Sequence, residues 1–240
     1  MSIESEHRGS DSPYVTRVWR GRASGVETMT SVATSNWELV FWEEAGVVHA
    51  GARGPETTAS RAEVDGESTS FGITFAHGAS MPHLPIAGIV DGGIESTHVS
   101  DGSFVLRGEE WEIPDFENAE QLVQKLVRAG VLTRDPLVDD VVWGGAARVG
   151  SRSVQRRVAT ATGLTQGAIR QIDRARQAAL LLAEGLAPLD VVHRLGFYDQ
   201  PHLARALQRY IGRTATQLQR PQPPADPLSL LYKPEDPAAS

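Results

Sequence analysis

The sequence contains no cysteine. That excludes disulfides, thiolate zinc sites, iron–sulfur clusters and every cysteine nucleophile, including one that takes up alkyl groups. It also lacks any apolar run near the ~20 residues of a membrane span, because Gly, Pro or charge interrupts the longest candidates. The N-terminus, Met1-Ser2-Ile3-Glu4-Ser5-Glu6, has no basic region and no apolar stretch behind it. No secretory signal is therefore expected, and a cytoplasmic location with no membrane partner is the default. What is present is ordinary for a globular chain. The 240 residues are 40% hydrophobic and 22% charged, which excludes global disorder and leaves room for one large domain or two modest ones. No internal repeat of the solenoid kind is evident.

Lysine is missing from one particular stretch. Residues 134–220 hold 13 Arg, no Lys and 7 Asp+Glu, a net charge of +6. Residues 1–133 carry 9 Lys+Arg against 20 Asp+Glu, a net charge of −11. An acidic part joined to an all-arginine basic part points to two modules with different partners. The five-donor fork of Arg suits phosphates and guanine edges, so the basic module points toward nucleic acid. A solvated helical surface is the alternative that charge alone leaves open.

Residues 1–12 are polar and expected to be flexible. From Tyr14 to Leu106, short β-prone runs recur: Tyr14–Trp19, Trp37–Trp42, Val47–Ala50, Ser70–Phe75 and Ser103–Leu106. Gly, Pro, Asn and Asp punctuate them, and no long helix intervenes, so an antiparallel barrel or sandwich is expected. Residues 117–129 read as a closing helix with Leu122, Leu126 and Ala129 on one side and Gly130 as its stop. After Asp135-Pro136 the period changes to that of helices, with Asp135 suited to the cap and Pro136 to the first turn. Pro221, Pro223, Pro224, Pro227, Pro234 and Pro237 mark residues 221–240 as a Pro-rich, non-globular tail, within which Leu228, Leu230, Leu231 and Tyr232 could dock back. The expected fold class is thus α+β with two domains. A β domain spans 13–133, and an all-α domain spans 134–220.

The segment 188–212 has the grammar of a helix-turn-helix. Pro188 opens a short helix that buries Val191, Val192 and Leu195. Gly196 makes the tight turn, Phe197 fills the angle, and Asp199 caps the second helix. That helix buries Leu203, Ala206, Leu207 and Tyr210 at i, i+3, i+4, i+7 and presents Pro201, His202, Arg205 and Arg209 on the other face. A short basic helix held off the core suits the major groove. Residues 150–163 repeat this logic more weakly, with Val154, Val158 and Ala161 buried and Arg152, Gln155 and Arg156 together on another face. Between the two units, Gln166–Ala183 reads as one helix with Ile169, Ile172, Leu180, Leu181 and Leu182 as core candidates. Its ~18–20 residues span about 27–30 Å, against ~34 Å between successive major grooves on one face of DNA.

These residues resemble the two-motif DNA-binding domain of the AraC/XylS family of bacterial transcription regulators. The matching marks are Arg152-x-Val154-Gln155-Arg156, then Thr162-Gly163-Leu164-Thr165, then Arg174-Ala175-x-x-Ala178-x-x-Leu181. Next come Leu195-Gly196-Phe197-Tyr198-Asp199-Gln200-x-His202-Leu203-x-Arg205 and Gly212-x-Thr214. The sequence departs from the family at Gly150, where a serine is usual, at Gly144, where a small alanine is usual, at Thr214-Ala215 in place of Thr-Pro, and at Leu218 in place of an aromatic. The resemblance implies a transcription regulator whose partners are double-stranded DNA and RNA polymerase. It implies base reading by Arg152, Gln155, Arg156, Gln200, Pro201, His202 and Arg205, and phosphate contact by Arg157, Arg209 and Arg213. Trp19, Asn36-Trp37-Glu38-Leu39-Val40 and Phe71-Gly72-Ile73-x-Phe75-x-x-Gly78-Ala79 resemble the cupin-like sensor domain of one subgroup. That implies binding of a small effector, formation of a homodimer, or both.

The alternative is a cupin-type enzyme with a helical accessory domain, since cupin enzymes bind metal through histidines. His49, His77, His83 and His98 fall in the β domain, but no His-x-His pair exists, so no metal, cofactor or catalytic residue is expected. Glu43-Glu44 and Glu109-Glu110 read as solvated pairs rather than acid/base chemistry. The tryptophans (Trp19, Trp37, Trp42, Trp111 and Trp143) are core candidates that could also line a small apolar pocket in the barrel.

Overall fold

The computed structural model describes residues 2–64, 67–96, 99–100, 102–145, 150–220 and 227–229. His98 and most of the Pro-rich tail lie outside the described residues. The β-rich part comprises β1 (Ser2–Arg8), β2 (Val15–Ser24), β3 (Thr28–Ser31), β4 (Glu38–Glu44), β5 (Val47–Arg53), β6 (Ser60–Glu63), β7 (Glu67–Phe75), β8 (Ala79–Ser80), β9 (Gly93–Glu95), β10 (Val99–Ser100), β11 (Ser103–Leu106) and β12 (Glu109–Glu112). It closes with α1 (Ala119–Arg128) and β13 (Thr133–Arg134). The helical part follows as α2 (Pro136–Val142), α3 (Ser151–Thr162), α4 (Gln166–Ala183), α5 (Pro188–Leu195), α6 (Gln200–Tyr210) and α7 (Ala215–Gln219).

The main sheet has the antiparallel order β1-β2-β7-β4-β5-β9. Alternation sets its inner face: Leu39 and Phe41 of β4 and Ile73 and Phe75 of β7 are buried. Trp19 crosses its β7 partner Gly72, where a Cβ would stand 2.3 Å from the indole ring, so this position requires glycine. The smaller sheet β10-β11-β12 packs on the first through Phe104, whose ring meets Phe41 edge-on at 5.1 Å. Trp37 stacks on Phe75 at 4.0 Å and donates its indole N–H to the Ala79 carbonyl at 2.7 Å.

Two expectations change here. Ser2–Arg8 is an edge strand paired along β2, not a flexible leader. It is anchored by polar contacts that carry no hydrophobic pattern. The Arg8 guanidinium grips both Glu120 carboxylate oxygens, at 2.7 and 2.8 Å, and Glu6 pairs with Arg20 at 2.6 Å. In α1 the inward side chains are Leu122, Val123 and Leu126, while Ala129 is exposed beyond the last turn.

The helices form as their capping chemistry dictates. Asp135 accepts from the Leu137 N–H at 3.1 Å, Thr165 from Ala168 at 3.1 Å and Asp199 from His202 at 2.7 Å; Gly163 and Gly196 end α3 and α5 with φ of 70° and 67°. In α4 the buried residues are Ile169, Ile172 and Leu182 with Ala175, Ala178 and Ala179. The small alanines let α4 sit close to its neighbours, and Leu180 and Leu181 are only half-buried.

The β-rich and helical parts share a core rather than meeting at a simple linker. Val32 and Ala33, on the segment between β3 and β4, are buried in the same apolar cluster as the inward side chains of the helices. The Ala33 N–H donates to the Tyr210 carbonyl at 2.8 Å, and Arg176 donates to the Ala33 carbonyl at 2.8 Å. Ala59 binds the Arg209 carbonyl at 2.8 Å, and the Gly78 N–H donates to the Asp139 carboxylate of α2 at 2.9 Å. Pro227 and Ser229 hydrogen-bond to Thr30 at 2.8 and 2.9 Å, so this piece of the tail lies beside β3 with Leu228 packed on the helical core.

Candidate nucleic-acid interface

The α5–α6 unit is held from below by apolar packing. Val191 and Val192 of α5 and Leu203, Leu207 and Tyr210 of α6 are buried, and Phe197 fills the corner between the helices. Gly196 takes the left-handed turn that lets the chain reverse there. Arg174 of α4 stacks on the Phe197 ring at 4.7 Å and donates to the Gly196 carbonyl at 3.4 Å, bracing the turn against the long helix.

What remains outward on α6 is a continuous face: Gln200, Pro201, Ala204, Arg205 and Gln208, with Arg209 beside it, are exposed. Pro201 sits in the first turn, where its missing N–H leaves no bond unmade. His202 is half-buried, edge-on to Phe197 at 5.4 Å. Its Nδ1 accepts from the Tyr198 N–H at 3.3 Å, so the neutral ring carries its proton on Nε2, a donor suited to a purine N7 or O6.

On α3 the exposed residues are Ser151, Arg152, Gln155, Arg156, Arg157, Ala159 and Thr160, over buried Val154, Val158 and Ala161. Residues 151, 152, 155, 156 and 159 follow the same spacing as 200, 201, 204, 205 and 208 on α6. Arg156 and Arg205 therefore occupy equivalent places on their helices. Gly150 stands at the start of α3 and supplies no side-chain cap, whereas Asp199 caps α6. The far end of α3 rests on the β-rich part: a Cβ on Gly163 would stand 2.6 Å from Val90 and 2.9 Å from Ala87.

Not every sequence-predicted residue joins these faces. Arg157 binds both Asp135 carboxylate oxygens, at 2.6 and 2.7 Å, and this bond raises its pKa further. Its fork is turned to the start of α2 rather than outward. Arg213 is half-buried and donates to the Gly212 carbonyl at 3.1 Å. Arg209 lies over the Tyr210 ring at 5.2 Å with its backbone tied to Ala59. The sequence reading gave no role to Tyr198, whose side chain is 91% exposed just before the α6 cap. The signal was an aromatic between the corner Phe197 and the cap Asp199, where nothing remains for it to pack on.

A family model described as a helix-turn-helix domain matches residues 143–221, the stretch that carries α3 to α7. The described helices α3 to α7 thus carry a helix-turn-helix domain. No curated protein and no solved structure matches the chain at a significant level.

The rest of the molecule offers less. Among the described residues, no group of three His, Asp or Glu is placed to hold a metal ion, and no helix is long and apolar enough to cross a membrane. His49 stacks on Trp42 at 5.1 Å, His83 is exposed, and His77 is buried against Ser35. The tryptophans do not line one cavity. Trp37 and Trp111 are core residues, Trp19 crosses Gly72, Trp42 stacks on His49, and Trp143 is 64% exposed.

Proposed function

We propose that this chain is a sequence-specific, double-stranded-DNA-binding transcription regulator of the AraC/XylS type. The observation that carries the reading is α6: a buried back, a capped and braced start, and an outward face of Gln200, Pro201 and Arg205 with half-buried His202 at its edge. The helix-turn-helix match over 143–221 supports the same reading. Residues in the first two turns of such a helix reach base edges, and later ones meet phosphates. Arg205 then grips guanine O6 and N7, His202 donates to a purine, and Pro201 packs on a thymine methyl. Arg152, Gln155 and Arg156 on α3 read a second, looser half of the site, because Gly150 leaves that helix without a side-chain cap. Arg209 and Arg213 contact phosphates; Arg157 positions α3 through Asp135 instead. The β-rich part, cupin-like in this reading, binds a small effector, forms a homodimer, or both, and RNA polymerase is the further partner.

The test is a titration of purified variants against a site selected from random DNA and against its scrambled version, at two salt concentrations. Arg205→Ala loses about 1–3 kcal/mol on the selected site and relaxes preference at one base pair. Arg209→Ala weakens both DNAs alike and lowers the salt slope by about one unit. An Arg205→Ala protein with an unchanged ratio between the two DNAs overturns base reading by α6.

A further inference from the structure

The β3 strand pairs with β6 along one edge. Its other edge is met by residues 227–229, which run parallel to it with Leu228 opposite Thr30. Three hydrogen bonds seat this piece: the Thr30 N–H donates to the Pro227 carbonyl at 2.8 Å, the Ser229 N–H to the Thr30 carbonyl at 2.9 Å, and the Val32 N–H to the Ser229 hydroxyl at 2.9 Å. Leu228 is half-buried against the apolar cluster of the helices. Thr30 itself is buried, so without residues 227–229 a buried backbone donor and acceptor lose their partners.

The same few residues hold the end of α6. The Ala33 N–H donates to the carbonyl of Tyr210, the last residue of α6, and the Ala59 N–H donates to the Arg209 carbonyl. Just past α6, Gly212 turns with a φ of 71°, and a Cβ placed there would stand 3.1 Å from the Thr30 methyl and 3.3 Å from Ala59. Residues 30–33 thus have the C-terminal piece on one side and the end of α6 on the other. The hold of that piece is modest. Its residues are all half-buried, whereas the edge strand β1 is paired along seven residues. A contact of that size opens at far lower cost than the whole fold.

We propose that residues 227–229 are a releasable strap: they add a third strand to β3–β6, fix residues 30–33, and so clamp the end of α6 to the β-rich part. The strap is supplied by the same chain, since Pro227 follows Gln219, the end of α7, by only eight residues. Its release leaves Thr30 and Val32 without their partners and leaves the Ala33–Tyr210 bond on a segment no longer pinned along its outer side. The end of α6 then loosens, and DNA affinity falls by the fraction of molecules in which the helix is out of place. This last step rests on the DNA-binding reading above; the strap does not.

The experiment uses the full chain with two substitutions in the strap, Leu228→Asn and Ser229→Ala, neither of which alters charge. Amide hydrogen exchange followed by NMR reads each residue separately. In Leu228→Asn the Thr30 and Val32 amides exchange about tenfold faster or more, the Ala33 amide follows them, and the Ile169 and Ile172 amides of α4 keep their rates. Should that variant not fold, Ser229→Ala, which deletes only the hydroxyl bound by Val32, serves in its place and speeds Val32 more than Thr30. Unchanged Thr30 and Val32 rates overturn the strap, as does an equal acceleration in α4, which marks a general loss of stability. Thr30 protection that appears only when the protein dimerises overturns the assignment to the same chain. With the selected DNA, Leu228→Asn weakens binding about fivefold, and faster exchange with unchanged DNA affinity overturns the clamp on α6. A chain that shows the exchange pattern but recognises no DNA supports the strap and overturns the proposed function.

Discussion

The Ser35 hydroxyl sits between buried His77 and half-buried Asp173, 2.9 Å from His77 Nε2 and 2.9 Å from Asp173 Oδ1. Serine has one proton to give. Since it donates to the Asp173 carboxylate, His77 Nε2 is the donor to Ser35, and the imidazole is neutral with its proton on Nε2. Burial lowers His77 to about 4 and raises Asp173 to about 6, the Ser35 bond and the Arg176 charge opposing the latter shift. The stability consequences have opposite signs. The unfolded state takes up the histidine proton more readily, so the His77 contribution is present at neutral pH and lost as pH falls toward about 4. The folded state holds the aspartic proton more tightly, so the Asp173 contribution is present in acid and lost as pH rises to about 6. Between these values the two slopes oppose each other. His77→Gln therefore unmasks a gain in stability on acidification from about 6 to 4, and Asp173→Asn unmasks a loss, each on the order of 2–3 kcal/mol over the window. Urea midpoints at three pH values check this. Variants with the slope of the parent protein would show that neither group titrates as its burial implies. Below that window Glu120, held to about 2 by the Arg8 fork, adds a further loss of stability in acid.

At the scale of elements, the helix-turn-helix is built from contributions that can be removed singly. Phe197→Ala empties the corner and leaves Arg174 without its stacking partner, a loss of about 3–5 kcal/mol for a truncated buried Phe. Asp199→Ala leaves the first turn of α6 uncapped at about 1 kcal/mol, and Gly196→Ala strains the left-handed turn at about 1–2 kcal/mol. Thermal melts of the three variants test that ranking; a Phe197→Ala midpoint no lower than that of Asp199→Ala contradicts it. These elements were legible in the sequence because their causes are local: a cap, a turn glycine and an i, i+3, i+4 stripe lie within a few residues of each other. The first strand was not legible, because Glu6 and Arg8 find Arg20 and Glu120 only once the chain is folded. Nor was the turning of Arg157 onto Asp135, 22 residues away, which position on a helical wheel does not specify. The Asp173–Arg176 pair left a readable trace: both lie at helical spacing from Ile169 on α4, charges set into an otherwise apolar stripe. Their partners Ser35 and Ala33 could be supplied only by tertiary structure.

For the whole molecule, the change of composition near residue 134 marks a change of secondary structure but not a boundary of cooperativity. The sequence reads as two separable modules, whereas Val32 and Ala33 belong to the helical core and the Arg209 and Tyr210 carbonyls are satisfied by Ala59 and Ala33. Excising residues 134–220 would uncover the apolar seat of Val32 and Ala33 and strip those carbonyls of their partners, each a loss with nothing local to offset it. The full chain is therefore expected to unfold in one transition. Tryptophan emission, weighted toward Trp37 and Trp111 in the β-rich core, and far-ultraviolet dichroism, weighted toward α3 to α6, should then give the same midpoint. The calorimetric and van't Hoff enthalpies should also agree. Ala33→Asp supplies the second arm. It places a carboxylate at a fully buried position between the two parts, with no designed partner, and so should lower both midpoints together. Helical signal that survives after the tryptophan emission has reached its unfolded value, or an Ala33→Asp chain that shifts only one probe, would establish instead that the two parts fold independently and that the shared core contributes little to holding α6 in place.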